Sequence, residues 1–118
     1  MKVAADIMIK QLYCNMNEDC GIEVGTVLGS ALIYNCKNCK FVVSAHQARI
    51  HKCTNCTFVL YAGSSPVIED STGLVFQEID PKMIPPVHQG KPNHCGEVQD
   101  FNWHKKDKSP NWEFAKSH

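Results

Sequence analysis

Arginine is nearly missing from this 118-residue chain: its basic residues are all Lys apart from Arg49. No sign of charge prevails, with 12 Lys and Arg against 12 Asp and Glu and a net charge of zero. That balance excludes a nucleic-acid binder working through a bulk basic footprint. No apolar run nears the roughly 20 residues of a membrane span. The opening Met1-Lys2-Val3-Ala4-Ala5-Asp6 meets a charge too early for a secretory signal, and Lys2 leaves no glycine for myristoylation. No G-x-S-x-G, phosphate-binding loop or paired-carboxylate motif is present to carry ordinary enzyme chemistry. The chain therefore reads as a soluble, intracellular protein of one domain over 1–118, without a membrane anchor of its own.

Cysteine, by contrast, is abundant, with seven residues. The count is odd and no secretory signal accompanies it, so reduced thiols packed as small hydrophobes are expected rather than a disulfide scaffold.

The chain repeats itself. Residues 34–43 read YNCKNCKFVV and residues 51–60 read HKCTNCTFVL, so Cys36, Cys39 and Phe41 recur as Cys53, Cys56 and Phe58. A third copy places Glu69–Phe76 under His51–Phe58, and a weaker one sets Cys20, Ile22 and Val24 before Cys39, Phe41 and Val43. A unit of about 18 residues made of alternating β-formers suits one coil of a parallel β-helix. Equivalent positions would then stack at about 4.8 Å. The columns Ile22/Phe41/Phe58/Phe76, Ile33/Ile50/Ile68 and Val24/Val43/Leu60 stay apolar, as a continuous core requires. The fold class is all-β, with coils over about 12–77. Pro81, Pro85, Pro86 and Pro92 end the pattern. The tail, 78–118, carries Phe101, Trp103, Trp112 and Phe114, which are expected to pack across the side or end of the coils.

Cys36-x2-Cys39 and Cys53-x2-Cys56 have the spacing of a four-thiolate zinc site. The repeat explains the same spacing without metal. Cys36 and Cys53 continue to Ser71 and back to Asn17, while Cys39 and Cys56 continue to Leu74 and back to Cys20. A column that accepts Leu is a packing column, so inward thiols and no metal are expected. His88, His94 and His118 lie in the tail with no pairing pattern, and a solvated role is expected for each.

If Ile33, Ile50 and Ile68 face inward, strand alternation turns Gln47, Arg49 and His51 outward, and Ser65, Val67 and Glu69 on the next coil. Val67 then lies beside Arg49 and Glu69 beside His51. Arg49 and Glu69 become diagonal neighbours about 7–8 Å apart at the backbone. A guanidinium fork on a stiff strand, oriented by a carboxylate, suits phosphate recognition.

The run Ile33–Phe76 with its Gln47-x-Arg49 and Pro66-x-Ile68-Glu69 segments, and the tail Asp100-Phe101-Asn102-Trp103 and Ser109-Pro110-Asn111-Trp112, resemble the tubulin-binding cofactor C domain family. Its relatives include the retinitis pigmentosa 2 protein and, more distantly, cyclase-associated protein. The resemblance covers about 12–114 and implies a right-handed parallel β-helix. It also implies a GTPase-activating protein of the tubulin-folding type. Arg49 would be the arginine finger, Gln47 the family glutamine, Glu69 the acidic partner and Phe101 an interface aromatic, with His51 and Val67 beside them. Where many members read Gln-Gln-x-Arg, this chain has His46. The implied client is GTP-bound β-tubulin with tubulin cofactors D and E. The alternatives are an Arf-like small GTPase, or a non-catalytic cytoskeletal scaffold. GTP and Mg²⁺ would be carried by the partner, no cofactor by this chain, and the location would be the cytoplasm, with the cytoskeleton. The length suits either an excised domain or a small free-standing relative.

Overall fold

The computed structural model describes residues 2–16, 18–84, 86–103 and 109–115. The expectations for Asn17, Pro85 and His118 fall outside them. Strands β1 (Lys2–Ile9), β2 (Leu12–Asn15), β3 (Gly21–Tyr34), β4 (Lys40–His51), β5 (Thr57–Ala62), β6 (Val67–Glu69) and β7 (Leu74–Glu78) wind as successive coils. Every pairing among them is parallel, which gives a parallel β-helix.

The register is the one the repeat dictates. Ile22, Phe41, Phe58 and Phe76 are direct partners down one side, and Ile33, Ile50 and Ile68 down another. All seven are buried. Phe41, Phe58 and Phe76 stack ring on ring at 5.2 Å per step. Such a ladder combines area burial with about 0.5–1.5 kcal/mol per aromatic pair.

Two left-handed residues turn each coil. Asn35, Lys52 and Asp70 occupy the first corner at φ of 52–55°, and Asn38, Asn55 and Gly73 the second at 54–68°. Between corners, Lys37, Thr54 and Thr72 form single-residue bridges that make the third side. Asn and Asp tolerate this backbone, whereas other side chains crowd the following carbonyl. At Gly73 a Cβ would also sit 2.5 Å from Asn55 Oδ1, so a side chain there would have to displace Asn55. The C-x2-C spacing is this corner–bridge–corner geometry, with one cysteine tucked inward after each left-handed residue.

The ladder is longer than 12–77. β1 pairs with β3 before residue 12. The tail does more than pack across an end: β8 (Gln99–Asp100) pairs with β6, and β9 (Trp112–Phe114) pairs with β7. The edges of β6 and β7 present unpaired backbone groups that need partners, and Pro81, Pro86 and Pro92 stay in the connection between β7 and β8. Trp112 meets Phe76 edge-on at 6.0 Å and covers the aromatic stack.

That connection is pinned by side chains acting as ladder partners. Asn93 donates through Nδ2 to the Leu60 carbonyl at 2.9 Å and accepts from Ala62 N–H at 3.0 Å. His88 is not solvated as expected. It is buried, hydrogen-bonded to Ser44 Oγ at 2.8 Å and stacked on Tyr61 at 4.8 Å. Burial, then Lys91 and His46, hold its pKa below the ordinary 6.5. His94 is half-buried and pairs with Glu97 at 2.7 Å. Among the described residues no helix is long and apolar enough to cross a membrane.

Candidate functional site

The second half of β4 and the whole of β6 form one wall of the β-helix, and their alternation sorts side chains inward and outward. Arg49 lies opposite Val67, and His51 opposite Glu69. Phe101 follows β8, its N–H donating to the Ile68 carbonyl at 3.0 Å. Tyr34, Arg49, His51, Val67, Glu69 and Phe101, with Ile50 behind them, line a shallow depression of about 160 Å³. Five of the six expected site residues are thus brought together. Gln47 stands apart from the depression, half-buried, with Oε1 accepting a long 3.4 Å hydrogen bond from Ser30.

One expected relationship is overturned. Glu69 does not orient Arg49; its Oε1 lies 2.9 Å from His51 Nδ1. The two residues are direct partners across the ladder, whereas Arg49 and Glu69 are only diagonal ones, and the direct partner has the shorter reach. Arg49 is exposed, and among the described residues its guanidinium makes no hydrogen bond or ion pair.

Sequence reasoning missed Tyr34, which packs on His51 at 5.4 Å and is met edge-on by Tyr13 at 5.6 Å. Tyr13 is 57% exposed and Phe101 52%. The signal was in the register: Tyr34 stands one coil above His51, in the same outward column as Glu69. His46 is exposed and lies elsewhere, in a second depression with Tyr61, His88 and Lys91. It lies so close to Gly63 that a Cβ there would be 2.7 Å from its Nδ1.

Cys36, Cys39, Cys53 and Cys56 are buried, and their thiols donate to main-chain carbonyls. The hydrogen bond with Cys56, then burial, pushes the Cys53 thiol up, and burial foremost raises Cys39. Ser71, next in the Cys36/Cys53 column, likewise donates to a main-chain carbonyl, that of Glu69 at 3.0 Å, and also accepts from the Cys53 N–H at 3.1 Å. Cys20 makes the same contact with the carbonyl two residues back, its thiol donating to Glu18 at 3.1 Å, but it is exposed rather than buried. Among the described residues, the side chains that come together as potential metal ligands are His51, Glu69 and Asp70, not these thiols. The first two already pair with each other.

The family model for tubulin binding cofactor C matches residues 3–105. The chain belongs to the tubulin binding cofactor C family. Tubulin-folding cofactor C of Arabidopsis thaliana is 32% identical over 111 residues. That alignment takes in 88% of this chain but 32% of the relative, so the chain spans about a third of that protein's length. The solved tubulin binding cofactor C from Leishmania major superimposes with a TM-score of 0.78 at 26% identity, over 92% of this chain and 80% of that one. The fold of that protein therefore accounts for 92% of this chain.

Proposed function

We propose that this domain activates GTP hydrolysis by a partner in tubulin folding, inserting Arg49 as an arginine finger beside GTP on β-tubulin. The observation that carries the reading is the state of Arg49. It stands exposed on a stiff rung, unpaired among the described residues, while Glu69 beside it is engaged by His51. The strand backbone that carries the guanidinium is already ordered, and among the described residues no ion pair has to break on docking.

Phosphoryl transfer from GTP passes through a loose transition state with charge spread over the equatorial oxygens. A planar cation delivered in trans neutralises that charge and excludes water, typically raising the rate by about 10³–10⁵. The partner brings the nucleotide and Mg²⁺. Val67 and Phe101 supply apolar contact around the finger, and His51 keeps Glu69 from competing with phosphate for Arg49. Gln47, two residues along the strand and about 6–7 Å away, contacts the partner beside the finger. Tubulin cofactors D and E would present β-tubulin to this face in the cytoplasm.

The test is single-turnover GTP hydrolysis by tubulin with cofactors D and E, with the wild-type domain and with Arg49→Ala. The expected result is stimulation that the substitution lowers by at least about 10²-fold while binding persists. A folded wild-type domain that stimulates neither tubulin nor an Arf-like GTPase run in parallel would sink the catalytic reading. Stimulation of the Arf-like protein alone would reassign the client.

A further inference from the structure

The turn that presents Phe101 is fastened from below by a carboxylate. Asp100 Oδ2 accepts from Ser109 Oγ at 2.6 Å and from Asn111 Nδ2 at 2.8 Å, while Oδ1 accepts from Asn102 N–H at 3.0 Å. Ser109 is buried and its Oγ also accepts from Asn111 N–H at 3.1 Å, so the clamp lies within the fold. Trp103 N–H closes the turn onto the Asp100 carbonyl at 3.1 Å. On the other side, Asn102 Oδ1 accepts from Asp70 N–H, at the left-handed corner next to Glu69. Asp100 and Asn102 therefore flank Phe101 in sequence and tie it in two directions. One tie runs to the segment that leads into β9, the other to the coil that carries Glu69.

We infer that Asp100 is a positioning residue for the Arg49 face: it holds Phe101 against the depression, and through Phe101 it sets the affinity for the GTP-bound partner. The inference rests on the function proposed above. Phe101 is exposed and lies in the turn just after the two-residue strand β8, so an unfastened turn would order it only on docking. An ionised carboxylate is an acceptor only, able to take donors on both oxygens, which a neutral amide cannot do without turning a donor toward one of them. Asp100 touches neither nucleotide nor partner in this scheme, so it acts on docking and leaves the charge stabilisation by Arg49 alone.

The experiment compares Asp100→Asn, Ser109→Ala and Phe101→Ala with wild type. Two readouts are taken: amide hydrogen exchange at Phe101 in the free protein, and the concentration of domain giving half-maximal GTP hydrolysis by tubulin with cofactors D and E. Ser109→Ala loosens the clamp without touching the turn, which guards against an Asp100 variant that folds poorly. The expected result is exchange at Phe101 faster by at least about tenfold in both clamp variants. The half-saturating concentration should rise about tenfold with the saturating rate held within about twofold. Adding Asp100→Asn to Phe101→Ala should add nothing further. Unchanged half-saturation in the clamp variants, or independent effects in the double variant, would overturn the inference while the arginine finger stood. Absence of stimulation by wild type itself would remove the proposed function, and this inference with it.

Discussion

His51 Nδ1 and Glu69 Oε1 meet at 2.9 Å across the β4–β6 rung, and this pair takes up the carboxylate that would otherwise be within diagonal reach of Arg49. The pair is partly exposed and contributes about 0–1 kcal/mol to stability. Its consequence lies in the charge left available on Arg49.

His51→Ala should accordingly leave the melting temperature nearly unchanged and still lower GTPase stimulation, by about tenfold, as Glu69 turns to Arg49. Adding Glu69→Gln should restore most of the loss, because the competing charge is gone. Equal stimulation by wild type and His51→Ala in single-turnover assays would show that Glu69 does not compete.

Phe58 sits in the middle of a three-ring stack and is fully buried. Phe58→Ala should cost about 3–5 kcal/mol by equilibrium denaturation, the cost of a large core truncation. Phe58→Leu should cost less, because much of the volume is retained. A loss below about 1 kcal/mol for the Ala variant would contradict the stack as the centre of the core.

Lys52 occupies a left-handed corner at φ 55°, where its counterparts are Asn35 and Asp70. Lys52→Asn should stabilise the protein by about 0.5–1 kcal/mol, a part of the roughly 1–2 kcal/mol that the left-handed backbone costs an ordinary residue. Denaturant midpoints measure this directly, and a lower midpoint for the variant would count against corner strain.

His88 predicts a pH dependence. Burial, then Lys91 and His46, hold its folded pKa below 6.5. Below pH 6.5 the unfolded chain binds a proton that the folded one refuses, so stability falls as the pH drops toward the folded value. The contribution is fully present above 6.5. His88→Gln should flatten the wild-type decline in melting temperature across that window. Parallel curves for the two proteins would exclude His88 as its source.

Much of the fold was legible in the residues themselves. The step from Cys36 to Cys53 and from Phe41 to Phe58 sets the coil length, and a parallel ladder turns that step into register. Inward and outward columns then follow from strand alternation, which is why the sequence pattern alone places Arg49, His51, Val67 and Glu69 on one wall. Even the repeated C-x2-C spacing is explained by the coil once its corners are known.

Sequence alone determined the periodic part of this protein: the coils, the apolar columns and the face that carries the one arginine. A repeat constrains every coil by its neighbours, so the pattern is written many times over. Tertiary structure decided what does not repeat. The partner of Glu69 depends on side-chain reach across a rung. The burial of His88 depends on where the proline-containing connection lands, and the setting of Phe101 on Asp100 meeting Ser109 and Asn111. Each of these is a single contact between segments without internal periodicity, and only the folded chain brings its two halves together.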